Sequence, residues 1–165
     1  MRLSPTLATT AVIATIIIAT GQSEAGTCPK AWCSTTVSAP TETNVDLILP
    51  ALAQVESGGN ANAVGDKGKA IGIYQIHWAY WKDATDHDPS IGGSYRDCFD
   101  PVYAEKVVRA YLARYAPKNA TLEQLARIHN GGGGILRKQN STKEKDRKAW
   151  ANTTIYWRKV KGLFE

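Results

Sequence analysis

Cysteine is scarce in this sequence: three residues, Cys28, Cys33 and Cys98, among 165. That excludes a fold built on a disulfide framework, which needs several pairs. Cys28 and Cys33 lie close enough in sequence to close one small loop in an oxidising compartment, and Cys98 is then left over. The Cys-x4-Cys pair has no second ligand pair at useful spacing, so no metal site and no cofactor are expected. Charge of one sign is also lacking. Twenty Lys and Arg stand against 15 Asp and Glu, a net +5, which favours anionic partners in general. No nucleic-acid partner is expected. Long apolar runs are limited to Leu7–Ala19, which is too short for a comfortable bilayer span of ~20 residues.

That run follows Arg2 and precedes the small residues Ser23 and Ala25, the pattern of a secretory signal peptide over residues 1–25. The expected location is extracellular or periplasmic, with no stable membrane insertion after cleavage; an uncleaved anchor is the alternative. Residues 26–43, rich in Ser, Thr, Ala and Pro, read as a flexible leader. Residues 44–165 form the expected catalytic domain, a monomer, and about 140 residues after cleavage are enough to bury a core. Asn119, Asn140 and Asn152 open Asn-x-Ser/Thr triplets, which matter only in a host that glycosylates.

Leu47, Ile48, Ala51, Leu52 and Val55 recur at helical spacing after a candidate cap at Asn44, with Pro50 expected to kink the helix or restart it. Gly58-Gly59 stops it just after Glu56. The glycine-rich stretch that follows predicts an irregular hairpin turning at Asp66-Lys67-Gly68. His77–Ala84 reads as a short aromatic helix and Thr85–Asp97 as a polar loop. Asp100-Pro101 opens a helix whose stripe is Ala104, Val107, Val108, Tyr111, Leu112 and Tyr115. TLEQ at Thr121–Gln124 has capping-box form, and Gly131–Gly134 ends the helix it starts. Arg137–Lys148 reads as a solvated loop before a last helix around Trp150–Val160. The fold class is therefore mainly α (α+β), with helices around a small antiparallel hairpin or sheet.

Glu56 at a helix end and Asp66 on a polar turn form a candidate catalytic pair. Glycoside hydrolysis commonly uses two carboxyl groups, one protonated to give a proton to the leaving oxygen, the other ionised. A helix end flanked by apolar residues favours the neutral form of Glu56, and a solvated turn keeps Asp66 charged. Taken singly, either residue is an ordinary surface acid.

The block ALAQVESGGNANAVGDKGKAIGIYQIHWAYWKDA, then AEKVVRAYLARY, LARIHNGGGG and Tyr156-Trp157-Arg158-Lys159-Val160, in that order, resembles the invertebrate-type (destabilase-like) lysozymes. The resemblance runs from Val45 to Val160. It implies a lysozyme-like fold with a cleft between helices and sheet, Glu56 as the acid and Asp66 as the second carboxylate, with Asp83 and Asp86 as fallbacks. It also implies Tyr74 and Gln75 on a cleft strand as substrate-binding residues, with His129 and Asn130 lining the cleft in the same role, a capping role for the histidine being the alternative. Trp78 and Trp81 are expected in the core or the cleft wall. The family is disulfide-rich, whereas this chain relies on its apolar core.

The implied partner is peptidoglycan or a related amino-sugar polymer, cut at the β-1,4 bond between N-acetylmuramic acid and N-acetylglucosamine. The alternatives are a lytic transglycosylase, a chitinase-type activity, an isopeptidase using Ser57 with a histidine such as His129, and a non-catalytic wall-binding module.

Overall fold

The computed structural model describes residues 43–165, so the expected signal peptide, the leader and Cys28 and Cys33 lie outside the described residues. Five helices surround a three-stranded antiparallel sheet: α1 Asn44–Ser57, β1 Val64–Gly65, β2 Ala70–Ile71, β3 Ile76–His77, α2 Trp78–His87, α3 Pro101–Tyr115, α4 Leu122–Gly131 and α5 Glu144–Lys161. This is the α+β arrangement of a lysozyme-like fold.

The helix starts follow capping chemistry. Thr43, not Asn44, caps α1: its hydroxyl accepts from the Asp46 N–H while Asp46 accepts from the Thr43 N–H. Asn44 instead uses its amide to donate to the Ala120 carbonyl, joining α1 to the turn before α4. Pro50 neither breaks nor restarts α1, which runs through it. The helix is held on either side of the proline by buried Ile48, Leu49, Ala51 and Leu52, whose packing outweighs one missing backbone bond. Gly58, in the left-handed region at φ 64°, closes it. Asp100 caps α3 with Pro101 in first position, and the Thr121–Gln124 box caps α4, both as the spacing predicts.

The core lies between α1, α3, α4 and α5. Leu52, Val107, Val108, Leu112, Leu125, Ile128, Ile135 and Val160 are all buried in it. The chain across Thr85–Asp97 is less open than expected. Short 3-10 turns at Pro89–Ile91 and Tyr95–Phe99 organise it, and the Tyr95 hydroxyl donates to the Lys69 and Ile76 carbonyls. The solvated loop expected over Arg137–Lys148 is a second departure. A 3-10 turn occupies Ile135–Lys138, and α5 begins at Glu144, six residues before the expected start. Glu144 and Asp146 at the N-terminal end and Arg158, Lys159 and Lys161 at the C-terminal end match the helix dipole, so charge extends a helix that the apolar pattern alone starts late.

The sheet is small but its register is definite: Val64 faces Ile71, Gly65 faces Ala70, and Ala70 and Ile71 face His77 and Ile76. The turn at Asp66–Gly68 is as expected, with Asp66 at φ 44° and Lys67 at φ 56°. The third strand was not legible from the pattern. A four-residue turn, Gly72–Gln75, interrupts what reads as one run.

Candidate active site

A cleft of about 290 Å³ opens between the end of α1, the sheet, the start of α2 and the end of α4. Glu56, Asp66, Ala70, Gln75, Ile76, His77, Tyr80, His129 and Asn130 line it. Five of the six residues expected at the site therefore converge. Two hollows of about 630 Å³ lie elsewhere, one beside Arg109 and Lys118, the other beside Trp157 and Phe164. Neither holds a buried carboxyl group, so chemistry rather than volume singles out the smaller cleft.

Tyr74 is the exception. It is 5% exposed and turns away from the cleft, against Leu49, Pro50, Ile73 and Val102. Because residues 72–75 form a turn and not a strand, the alternation that would aim Tyr74 and Gln75 at a ligand does not apply. Gln75 lines the cleft, but its side-chain amide donates to the Ala63 and Gly72 carbonyls. With φ at 48°, it shapes the turn more than it offers a free donor. Gly65 leaves the room that the Gln75 amide oxygen occupies; a Cβ there would collide with it.

Glu56 sits on the last turn of α1 with its side chain 19% exposed. Burial pushes its carboxyl upward, the direction expected from sequence. The contacts of His129, the Tyr156 hydroxyl and His77 together outweigh that push, so the acid lies below the ordinary glutamate range. The expectation of a carboxyl held neutral by burial alone is thus corrected.

His129 Nε2 lies 3.5 Å from Glu56 Oε1, and the imidazole is almost fully buried. Its Nδ1 lies 3.1 Å from the Tyr80 hydroxyl. Tyr80 stacks on Tyr111, with ring centroids 3.6 Å apart, and the Tyr111 hydroxyl accepts from the Gly133 N–H at 3.1 Å. The Tyr156 hydroxyl is buried, and Glu56 is the polar group it acts on. Burial and the nearby Glu56 charge raise it far above an ordinary phenol, so it stays protonated.

Asp66 lines the same cleft from the turn after β1, 58% exposed, with its Oδ2 3.7 Å from His77 Nε2. The fallback acids are engaged elsewhere. Asp83 bonds Tyr115 and Arg114, and Asp86 pairs with Lys82. Trp78, expected in the core or cleft wall, is 57% exposed, while Trp81 is partly buried and donates to the Tyr103 hydroxyl.

Tyr80, His77 and Tyr156 were missed as site residues. The first two had a readable signal, since three positions apart at a helix start they share a face. Tyr156 had only its helical spacing from buried Thr153 and Val160, which reads as core.

Two helix C-termini, those of α1 and α4, end at this cleft. The negative ends of these helix dipoles make the region favourable for positive charge. The site therefore brings one buried and one exposed carboxyl group to a cleft where two helix ends favour positive charge.

The Destabilase family model matches residues 46–153, about two thirds of the chain. No curated protein matches.

Proposed function

The chain belongs to the Destabilase family, that of the invertebrate-type lysozymes, and we propose that it is a secreted lysozyme that hydrolyses the β-1,4 bond between N-acetylmuramic acid and N-acetylglucosamine in peptidoglycan. One observation carries this reading: a largely buried Glu56 and an exposed Asp66 line one cleft at the junction of sheet and helices.

Glu56 gives its proton to the glycosidic oxygen as the C1–O bond breaks. A sugar chain laid over the cleft displaces water from the carboxyl. That strengthens the upward push of burial and moves the acid towards its protonated form. Positive charge grows on the sugar ring as the bond breaks, and the carbonyl ends of α1 and α4 favour it. Asp66, in the same cleft, steadies that charge, attacks C1 or activates the incoming water; water supplies the hydroxyl to C1 and returns a proton. Asn130, exposed at the end of α4, is placed to bond polar groups of the sugar.

The isopeptidase alternative draws no support from Ser57. Its hydroxyl is directed at the Ala53 and Ile73 carbonyls, and His129 is engaged by Glu56 and Tyr80. Digestion of purified peptidoglycan by wild type, Glu56→Gln and Asp66→Asn tests the reading. Glu56→Gln is expected to lose about a hundredfold or more, the scale of a general acid. Reducing-end products are expected by mass spectrometry; anhydro-sugar ends would make the protein a transglycosylase. Undiminished digestion by Glu56→Gln would remove the proposal.

A further inference from the structure

The Tyr80 hydroxyl is placed against His129 Nδ1 and has no other hydrogen-bond partner among the described residues. A carboxylate only accepts, so Glu56 calls for a proton on His129 Nε2. With Nε2 protonated, a neutral ring presents Nδ1 as an acceptor, and a phenol O–H fills that role. The phenol keeps its proton throughout, because burial, then Tyr111 and Glu56, raise it well above its ordinary value. Stacking on Tyr111 fixes the ring that carries this hydroxyl.

Resting on the lysozyme reading above, we propose that Tyr80 is a positioning residue for the acid: by donating to His129 Nδ1 it holds the imidazole in its neutral Nε2–H form, and so leaves the reaction proton with Glu56.

Hydrogen bonding to one protonation state favours that state, so the Tyr80 bond disfavours the imidazolium form. That matters because His129 lies in the last turn of α4, whose carbonyl end favours positive charge, and beside a carboxylate that does the same. A charged ring 3.5 Å from Glu56 would favour the carboxylate over the acid, because opposite charges attract. The other groups facing the pair do not replace Tyr80. His77 and Asp66 lie on the sheet side and face each other. The Tyr156 hydroxyl, from α5, lies by Glu56, and that of Tyr111, from α3, is taken by Gly133. Tyr80 alone among these bonds the ring nitrogen turned away from the acid.

The test pairs a substrate-free measurement with a pH profile. Long-range proton–nitrogen spectra at one fixed pH report whether the His129 ring is the neutral Nε2–H tautomer or imidazolium. Wild type is expected to show the neutral tautomer, and Tyr80→Phe a clear rise in the imidazolium share. In digestion of purified peptidoglycan, the alkaline limb of kcat/KM reports loss of the proton from Glu56. Tyr80→Phe is expected to move that limb to lower pH. His129→Gln, which keeps an N–H donor but cannot become charged, is expected to move it to higher pH. General damage to the fold would lower activity at every pH without opposite shifts. An unchanged ring signature in Tyr80→Phe would overturn the proposal whatever the digestion shows. So would a changed signature with limbs that stay or move together. If wild type digests nothing while the signature responds as expected, the lysozyme reading falls and the Tyr80–His129 lock stands.

Discussion

Glu56 and His129 meet at 3.5 Å although each ends a different helix, so the ends of α1 and α4 are joined through one carboxyl–imidazole contact. Glu56 titrates below its ordinary value in the folded protein, pushed up by burial and down further by His129, Tyr156 and His77 together. In the unfolded chain it returns to an ordinary glutamate value. A lowered folded value means that the folded state binds this proton less readily. The stability from the pair is therefore complete above the unfolded value, near pH 4.5, and is lost as pH falls through the folded one. Thermal unfolding between about pH 6 and pH 3 is expected to show a steeper fall in Tm for wild type than for Glu56→Gln. Parallel curves would contradict the lowered carboxyl.

Asp46 carries the same sign at the other end of α1. Its bonds with Thr43, through side chain and then backbone, and its contact with Arg109 bring the carboxyl down to about 2. Its contribution is present above pH 3.8 and lost as the pH falls towards 2. Asp46→Asn is expected to remove that part of the acid sensitivity. It also lowers neutral-pH stability, measured by urea unfolding, because the reciprocal cap with Thr43 is weakened.

Gly133 packs against the Tyr115 ring so closely that a Cβ would overlap it. Gly133→Ala is expected to cost about 1–3 kcal/mol, the range for forcing extra volume into a packed site. Its denaturant midpoint is expected to fall while that of Gly134→Ala, where the nearest atom is the Arg137 guanidinium, changes less. Equal midpoints for the two variants would contradict the close approach.

Cys98 is fully buried, and burial, then Asp97, raises its thiol to about 12. Because thiolate is the reactive form, native Cys98 is expected to resist thiol reagents at pH 8. In a Cys28→Ser/Cys33→Ser background, labelling is expected to follow the urea unfolding curve. Rapid labelling of the native protein would mean that the site opens locally.

Glycines and capping residues made much of this fold legible. Thr121–Gln124, Asp100-Pro101 and Asp66–Gly68 each declare an element boundary through local chemistry that depends on few distant contacts. Where local pattern and tertiary context diverge, the sequence reading fails. Tyr74 reads as part of a cleft strand only because the turn at Gly72–Gln75 is hidden in an apolar run. The early start of α5 is hidden by its charge. The cleft lining was legible for Glu56, Asp66, His129 and Asn130. The balance of charge on Glu56 was not, because it depends on His129, His77 and Tyr156 arriving from three other elements.

Ser57 follows the acid directly, and its hydroxyl reaches the Ile73 carbonyl at 2.8 Å, which fastens the end of α1 to the chain entering β3. The connection from that fastening to Asp66 passes through residues 58–63, none of them fully buried. The gap between the two acids is thus an adjustable dimension. Insertions or deletions in this surface arc would respace the carboxyl groups, and with them the stereochemical course of bond cleavage, while the helical interior stayed as it is.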